Sequence, residues 1–419
     1  MRGREFTGGP NGGVTIAKTL NDRNSSTTLL RNARIILPER IADHASLLVK
    51  NELIHAVLDS SPSSLPDADS VIELNGHTLF PGFIDAHIHG AVGVDANDTD
   101  AAGFSRASRF LATKGVTAWL PTLVPDATEN YSRAIKAIDE IRADQSQDNI
   151  SDHLSSRVLG VHYEGPFVSD QQCGALRSQF FKTFAAGDEL GSLPRLRTPG
   201  AIHLTTVAPE IQGGIELIKK LTTDGWIISL GHTRASIGVL DQALNAGARH
   251  MTHFMNAMAP LHHRSPGPVA WGLMQDAVTC DIIADGKHLD PMILQMLVKL
   301  KGSAGLALIS DSIAAAGLGD GDYDIWGESI RVRDGRTSNA AGSIAGSVIT
   351  MLDAVRMMLS LGVTEVEVAQ MAATNPARLL RIDDKYGSIE EGKRADLVAI
   401  DRDGSARLTI IGGRVAFQN

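Results

Sequence analysis

Cysteine is scarce: Cys173 and Cys280 are the only two in 419 residues. Two thiols make no disulfide framework, which points to a reducing cytoplasm and to two isolated core thiols. An excess of positive charge is also missing. The net charge is -9, with acids and bases well mixed, so the basic patch of a nucleic-acid surface is not expected. No apolar run approaches the roughly 18 residues of a membrane span. Residues Met1 to Ser26 hold Gly, Asn and Thr without an apolar segment, so they form no secretory signal. That stretch reads as a disordered leader, 1–26. No low-complexity tract or solenoid-length repeat interrupts the chain. What is there is a sequence 43% hydrophobic, long enough for one large domain and a smaller one.

Short strand-like runs fill 27–80, among them Ala33–Leu37, Ala45–Val49 and Leu53–Val57. The same character returns in 380–419, at Asp396–Ile400 and Leu408–Gly413. Two β-rich ends flanking a long middle predict a small β-sandwich domain built from both termini. The middle, 81–379, alternates apolar runs with helical patterns. The runs are Leu79–His87, Val116–Leu120, Val158–Tyr163, Ile202–Val207, Ile227–Leu230, His250–His253, Cys280–Ile283 and Leu306–Ile309. Segments of 3.6-residue periodicity, such as Ile211–Thr223 and Ser236–Ala246, follow several of them. Strands alternating with helices imply a parallel sheet, and eight imply closure. The predicted fold class is α/β: a TIM-like (β/α)8 barrel with a small β-sandwich domain.

His87 and His89 end the first run. Residues i and i+2 of a strand share a face, so two imidazoles can aim at one point. That is a metal-ligand geometry. Taken alone, the pair is more often a solvated strand edge. Glu164, His232, His253 and Asp311 then stand at the ends of other runs, where a barrel of this kind places its catalytic groups. Their recurrence at equivalent places outweighs reading each as a satisfied core residue. Glu164 and the four histidines are expected to hold one or two divalent ions per subunit, with Zn favoured over Fe, Mn, Co or Ni. A bound ion lowers the pKa of water towards about 7 and polarises a carbonyl. Asp311 is expected to take a proton from that water and return it to the leaving group; the alternative is an N-cap to the following segment. The reaction class is metal-assisted hydrolysis of an amide or a related bond. Asn256 and Ala257 could offer backbone N–H groups to an anion, Arg264 a planar fork and His288 a second cation. Together these suit a phosphate.

Beyond these readings, the stretch Pro81-Gly82-Phe83-Ile84-Asp85-Ala86-His87-Ile88-His89-Gly90 and the tail motif Gly387–Val398 resemble the amidohydrolase superfamily. His162–Phe167, Leu230–Thr233, Thr252–Met258, Ala284–His288 and Asn375–Arg378 narrow the resemblance to the N-acetylglucosamine-6-phosphate deacetylase family, over about Ala33 to Val415. The resemblance implies a homodimer that releases acetate from N-acetyl-D-glucosamine 6-phosphate and leaves glucosamine 6-phosphate. It implies Glu164, His232 and His253 as ligands of the principal metal, and His87 and His89 as the second-site pair. It also implies Asp311 as acid/base, Ala175, Asn256, Ala257 and Arg264 as substrate contacts, and His288 as completing the neighbouring subunit's site. Readings left open are an N-acetylgalactosamine 6-phosphate deacetylase, an N-acyl-amino-acid amidohydrolase and a catalytically silent barrel. One stretch departs from the family pattern. Lys-Gly-(Ala/Thr)-His is usual where this chain has Cys173-Gly174-Ala175-Leu176, and leucine cannot donate a hydrogen bond near the acetyl group.

Overall fold

The computed structural model describes residues 15–18, 26–58, 66–146, 154–185 and 187–419. Its centre is a ring of eight parallel strands in chain order: Phe83–Ile88, Val116–Leu123, Gly160–Glu164, Ile202–Val207, Ile227–Leu230, His250–Met251, Thr279–Ile283 and Leu306–Ile309. Neighbours pair in parallel register from the first strand to the eighth. The ring closes where Asp311 N–H donates to His87 O at 2.9 Å and His89 N–H to Ser312 O at 2.8 Å. The fully buried Asp85 carboxylate reinforces that seam, accepting from Ser310 N–H at 3.2 Å and from Ser310 Oγ at 2.6 Å. Burial pushes the pKa of Asp85 up to about 7.

Helices pack around the ring because their apolar residues recur at three- and four-residue spacing. In Ala101–Ala112 the buried stripe is Phe104, Ala107, Ser108 and Leu111, and Asp100 caps the start by accepting from Gly103 N–H. The expected helices after the fourth and fifth strands are present as Gly214–Thr223 and Ile237–Ala246. The third unit departs from the pattern. Glu164 is followed not by a helix but by a loop with short turns at Asp170–Gln172 and Ser178–Phe180. Pro166, Gly174 and Pro194 punctuate that loop, and each opposes a continuous helix. Between barrel and helices, the ring of Tyr163 stands against those of Tyr131 at 5.0 Å and Trp226 at 5.8 Å.

The barrel interior carries more polar chemistry than its apolar strands suggest. His162 Nε2 lies 2.8 Å from Thr206 Oγ1, which lies 2.7 Å from Thr252 Oγ1. Ser229 Oγ is 2.6 Å from the same Thr252 hydroxyl, and His250 Nε2 is 2.8 Å from Asp281 Oδ1. The groups of His162, Thr206, Thr252 and Ser229 satisfy one another by hydrogen bonding, as buried polar groups generally do.

Both chain ends contribute to one sheet. Thr27–Ile36 pairs antiparallel with Ile41–Lys50 and parallel with Ser70–Glu73 and Thr78–Pro81. Leu397–Ile400 pairs with Thr78–Pro81, and Ala406–Ile411 and Arg414–Gln418 extend the sheet. The folded sheet buries its own core, including Leu30, Ile35, Leu47, Leu79, Leu397 and Leu408. The run Leu79–His87 therefore divides at Gly82: Thr78–Pro81 belongs to this sheet and the barrel begins at Phe83. Within the expected leader, Thr15–Lys18 is a strand paired antiparallel with Ser70–Glu73. The rest of 1–25 lies outside the described residues.

Gly90 follows the His87–His89 strand and turns the chain into the small hairpin Gly90–Ala91 with Val94–Asp95. A Cβ there would stand 1.9 Å from Val94 O, a backbone atom with nowhere to go. Gly90→Ala is expected to lower stability by about 1–3 kcal/mol. Denaturant unfolding measures it, and an unchanged midpoint contradicts the close approach.

Candidate metal centre and active site

All six strand-end residues meet at one mouth of the barrel. Glu164 ends the third strand, and its two carboxylate oxygens face different imidazole pairs. Oε1 lies 2.9 Å from His232 Nε2 and 2.8 Å from His253 Nε2. Oε2 lies 3.3 Å from His89 Nε2 and 3.9 Å from His87 Nε2. The ring nitrogens of each pair also converge, at 3.1 Å for His232 with His253 and 3.2 Å for His87 with His89. Two donor sets, His87–His89–Glu164 and Glu164–His232–His253, thus share one carboxylate and could each hold a metal ion.

Neighbouring carbonyls orient two of the imidazoles. His89 Nδ1 is 3.1 Å from Thr122 O and His232 Nδ1 is 2.8 Å from Gln172 O. A carbonyl only accepts, so each Nδ1 carries the proton and donates it. In the neutral ring this leaves a lone pair on Nε2, aimed at the centre, as metal-binding histidines commonly do. Burial drives the pKa of His87 well below its ordinary value and keeps that ring neutral. His89 behaves differently. Burial would lower its pKa, but hydrogen bonds with Asp311 and Glu164 outweigh it and raise it to about 10. Burial would likewise raise Glu164, yet His232, His253 and His89 hold it well below the carboxylate range. A divalent ion competes with these protons, so loading releases them.

Asp311 follows the eighth strand with its Oδ1 3.1 Å from His89 Nε2 and 3.3 Å from His87 Nε2. Its carboxylate faces the cluster, which removes the N-cap alternative. His232, His253 and Asp311 all turn in the left-handed region, with φ of 48°, 27° and 50°. For non-glycine residues that costs of order 1–3 kcal/mol each and is typical of functional sites.

A cleft of about 340 Å³ opens over the cluster, lined by His89, Glu164, His232, His253 and Asp311. Ala175, Asn256, Ala257 and His288 also line it. One expectation needs correction. The backbone N–H of Asn256 donates to His253 O at 2.9 Å, so this residue offers its side chain to the cleft and not its N–H. His288 is braced by Asp285 Oδ2 at 2.7 Å from Nδ1 and lines this chain's cleft. Arg264 is exposed on a loop and does not line the cleft; its guanidinium lies 2.8 Å from His263 Nε2. Trp326, at the turn of the hairpin Gly321–Ile325 with Glu328–Arg333, was not foreseen. Its ring meets that of His89 edge-on, 5.1 Å between centroids.

With this geometry in place, comparison with known proteins is informative. A profile of the amidohydrolase family matches residues 78–416. The chain is 34% identical over 395 residues to an N-acetylglucosamine-6-phosphate deacetylase of Bacillus subtilis (strain 168), covering 94% of this chain and 98% of that protein. It is 33% identical over 378 residues to an N-acetylgalactosamine-6-phosphate deacetylase of Escherichia coli O157:H7, covering 90% and 95%. The crystal structure of N-acetylglucosamine-6-phosphate deacetylase from Pasteurella multocida superposes with a TM-score of 0.84 at 28% identity, over 94% of this chain and all of that one.

The shared carboxylate has a measurable consequence. Glu164→Gln is expected to lower bound metal per chain further than His87→Asn, because it weakens both donor sets at once. Elemental analysis of purified protein decides this, and equal losses in the two variants contradict a bridging role.

Proposed function

This chain belongs to the amidohydrolase family, and we propose that it hydrolyses N-acetyl-D-glucosamine 6-phosphate to glucosamine 6-phosphate and acetate. The observation that carries the reading is the strand-end cluster itself: one carboxylate between two imidazole pairs, with a second carboxylate, Asp311, beside one of them. A catalytically silent barrel has no use for six such groups held at some cost in strain. The relatives over most of the chain are deacetylases of hexosamine 6-phosphates.

Glu164, His232 and His253 are the proposed ligands of the principal ion, and His87 and His89 those of a second. The donor chemistry of imidazole and carboxylate suits Zn, which we favour over Fe, Mn, Co or Ni. When bound, the ion supplies Lewis acidity to the amide carbonyl and to the attacking water. The remaining work belongs to the chain. The Asp311 carboxylate accepts the proton that water loses on attack and delivers it to the amide nitrogen as the C–N bond breaks. Asn256, Ala257 and His288 orient the phosphorylated sugar on the His253 side of the cleft. Since Arg264 lies outside its own cleft, a contact between it and the phosphate requires a second copy of the chain. We therefore propose a homodimer. Among the described residues no helix is long and apolar enough to cross a membrane, and we place the enzyme in the cytoplasm, in amino-sugar catabolism.

Asp311→Asn is expected to lower kcat by roughly 100-fold or more while metal content stays unchanged. Acetate release beside elemental analysis tests this, and wild-type turnover rules out the assigned role. Arg264→Ala should raise KM for the 6-phosphate far more than for the unphosphorylated sugar, with sedimentation reporting whether the dimer persists. Equal effects on the two sugars remove the phosphate assignment. Running the glucosamine and galactosamine derivatives side by side fixes the epimer.

A further inference from the structure

A second cleft, of about 280 Å³, lies at the opposite end of the barrel from the metal centre. Ile227 and Thr279 open the fifth and seventh strands, and Arg249 stands one residue before the sixth. The candidate metal ligands sit where strands end, so this cleft occupies the face where strands begin. Its remaining wall comes from Asn375, Arg378, Leu379 and Arg381. That segment is seated by Ala377 and Leu380, which pack with Ile84, Leu204 and Ile227.

Three arginines line the cleft, Arg249, Arg378 and Arg381, and no acidic residue does. Arg249 is fixed by its Nη1, which donates to Leu244 O and Ala248 O. The side chains of Arg378 and Arg381 are exposed and make no hydrogen bond or ion pair with a described residue. The charge of Arg378 acts on Glu390, but that carboxylate is already paired with Lys393 at 2.7 Å. Like charges gathered in this way repel one another, and a bound anion relieves the repulsion. Arg381 holds its place with a φ of 59°, just after a helix end. Glycine is the usual residue there. The capping bonds, Arg381 N–H to Arg378 O at 3.1 Å and Ile382 N–H to Ala377 O at 2.9 Å, need only its backbone. What arginine adds in return for the strain is its side chain. Asn375 is 3% exposed, and its Nδ2 donates to Ser303 O and Leu306 O at 2.7 and 2.6 Å, while its Oδ1 has no partner. An unpaired acceptor beside three cations suits a ligand that carries hydroxyl donors as well as negative charge.

We propose that this cleft binds the phosphate monoester of a small sugar. Guanidinium forks engage phosphate oxygens in pairs, and the cleft has room for more than the phosphate. Ile227, Ala304 and Leu379 offer the carbon atoms of the ester an apolar face. The site lies outside the deacetylase reading and stands or falls apart from it.

Calorimetric titration of the full chain with ribose 5-phosphate, inorganic phosphate and ribose tests this. Ribose 5-phosphate is expected to bind more tightly than inorganic phosphate, and ribose to give no signal. Arg378→Glu should weaken ribose 5-phosphate at least about 10-fold, the scale of one charge-assisted contact. Arg381→Gly relieves the backbone, so it should raise the unfolding midpoint and still weaken binding severalfold; a loss of fold cannot produce that combination. Arg264→Ala, on the loop beyond the other end of the barrel, should leave this binding in place. No binding of ribose 5-phosphate overturns the proposal. Equal affinity for ribose 5-phosphate and inorganic phosphate reduces the site to one for a bare ion and overturns the ester. Binding that survives both Arg378→Glu and Arg381→Gly, or that disappears with Arg264→Ala, puts the ligand elsewhere and also overturns it.

Discussion

A single carboxylate placed between two pairs of imidazoles is the constraint from which the rest of the site follows. Glu164 has two oxygens, and each meets a different pair at or near hydrogen-bond distance. For that to happen, the ends of the first, third, fifth and sixth strands must lie within a few ångströms of one another. Only a closed ring does this with parallel strands so far apart in sequence. Closure in turn depends on the seam between the first and eighth strands. There Asp85 ties Ser310 to the strand of His87 and His89, and Asp311 N–H reaches His87 O. The same seam that shuts the barrel thus fixes Asp311 against the second pair of ligands.

Much of this was legible because strand ends are local signals. Each ligand follows a short apolar run, and the i, i+2 spacing of His87 and His89 places both on one side of the chain. The β-rich ends were equally readable from their alternation and turns. What lay beyond reach depends on contacts between distant segments. Trp326 sits in a stretch, Tyr323-Asp324-Ile325-Trp326-Gly327, that reads locally as a hairpin turn. Nothing in its own neighbourhood says that the hairpin leans over His89. The N–H of Asn256 was offered to an anion from sequence, but the tight turn after His253 engages it first. His288 and Arg264 both looked like loop cations. The backbone around Asp285 folds one into the cleft, and the loop after Leu261 carries the other out of it. The polar layer of His162, Thr206, Thr252 and Ser229 was hidden for another reason: its members are spread over four runs, one in each.

The centre is electrostatically expensive for the fold, and this bears on what it is for. Four imidazoles and two carboxylates are buried together, three of the site residues turn in the left-handed region, and burial opposes the charged form of His87, His89, His253 and Glu164. Such an arrangement stabilises a protein less than an apolar core of equal volume would. Two ring nitrogens 3.1 Å apart beside a shared carboxylate oxygen need a positive charge between them, either a proton or a metal ion. Protons meet the need only partly, since His87 is driven neutral while His89 and His253 are driven towards the charged form. A divalent ion in each donor set would meet it, using the lone pairs that the Thr122 and Gln172 carbonyls direct inward. On this argument an ion bound there would contribute to folding as well as to chemistry. Binding would then offset part of the strain at the strand ends.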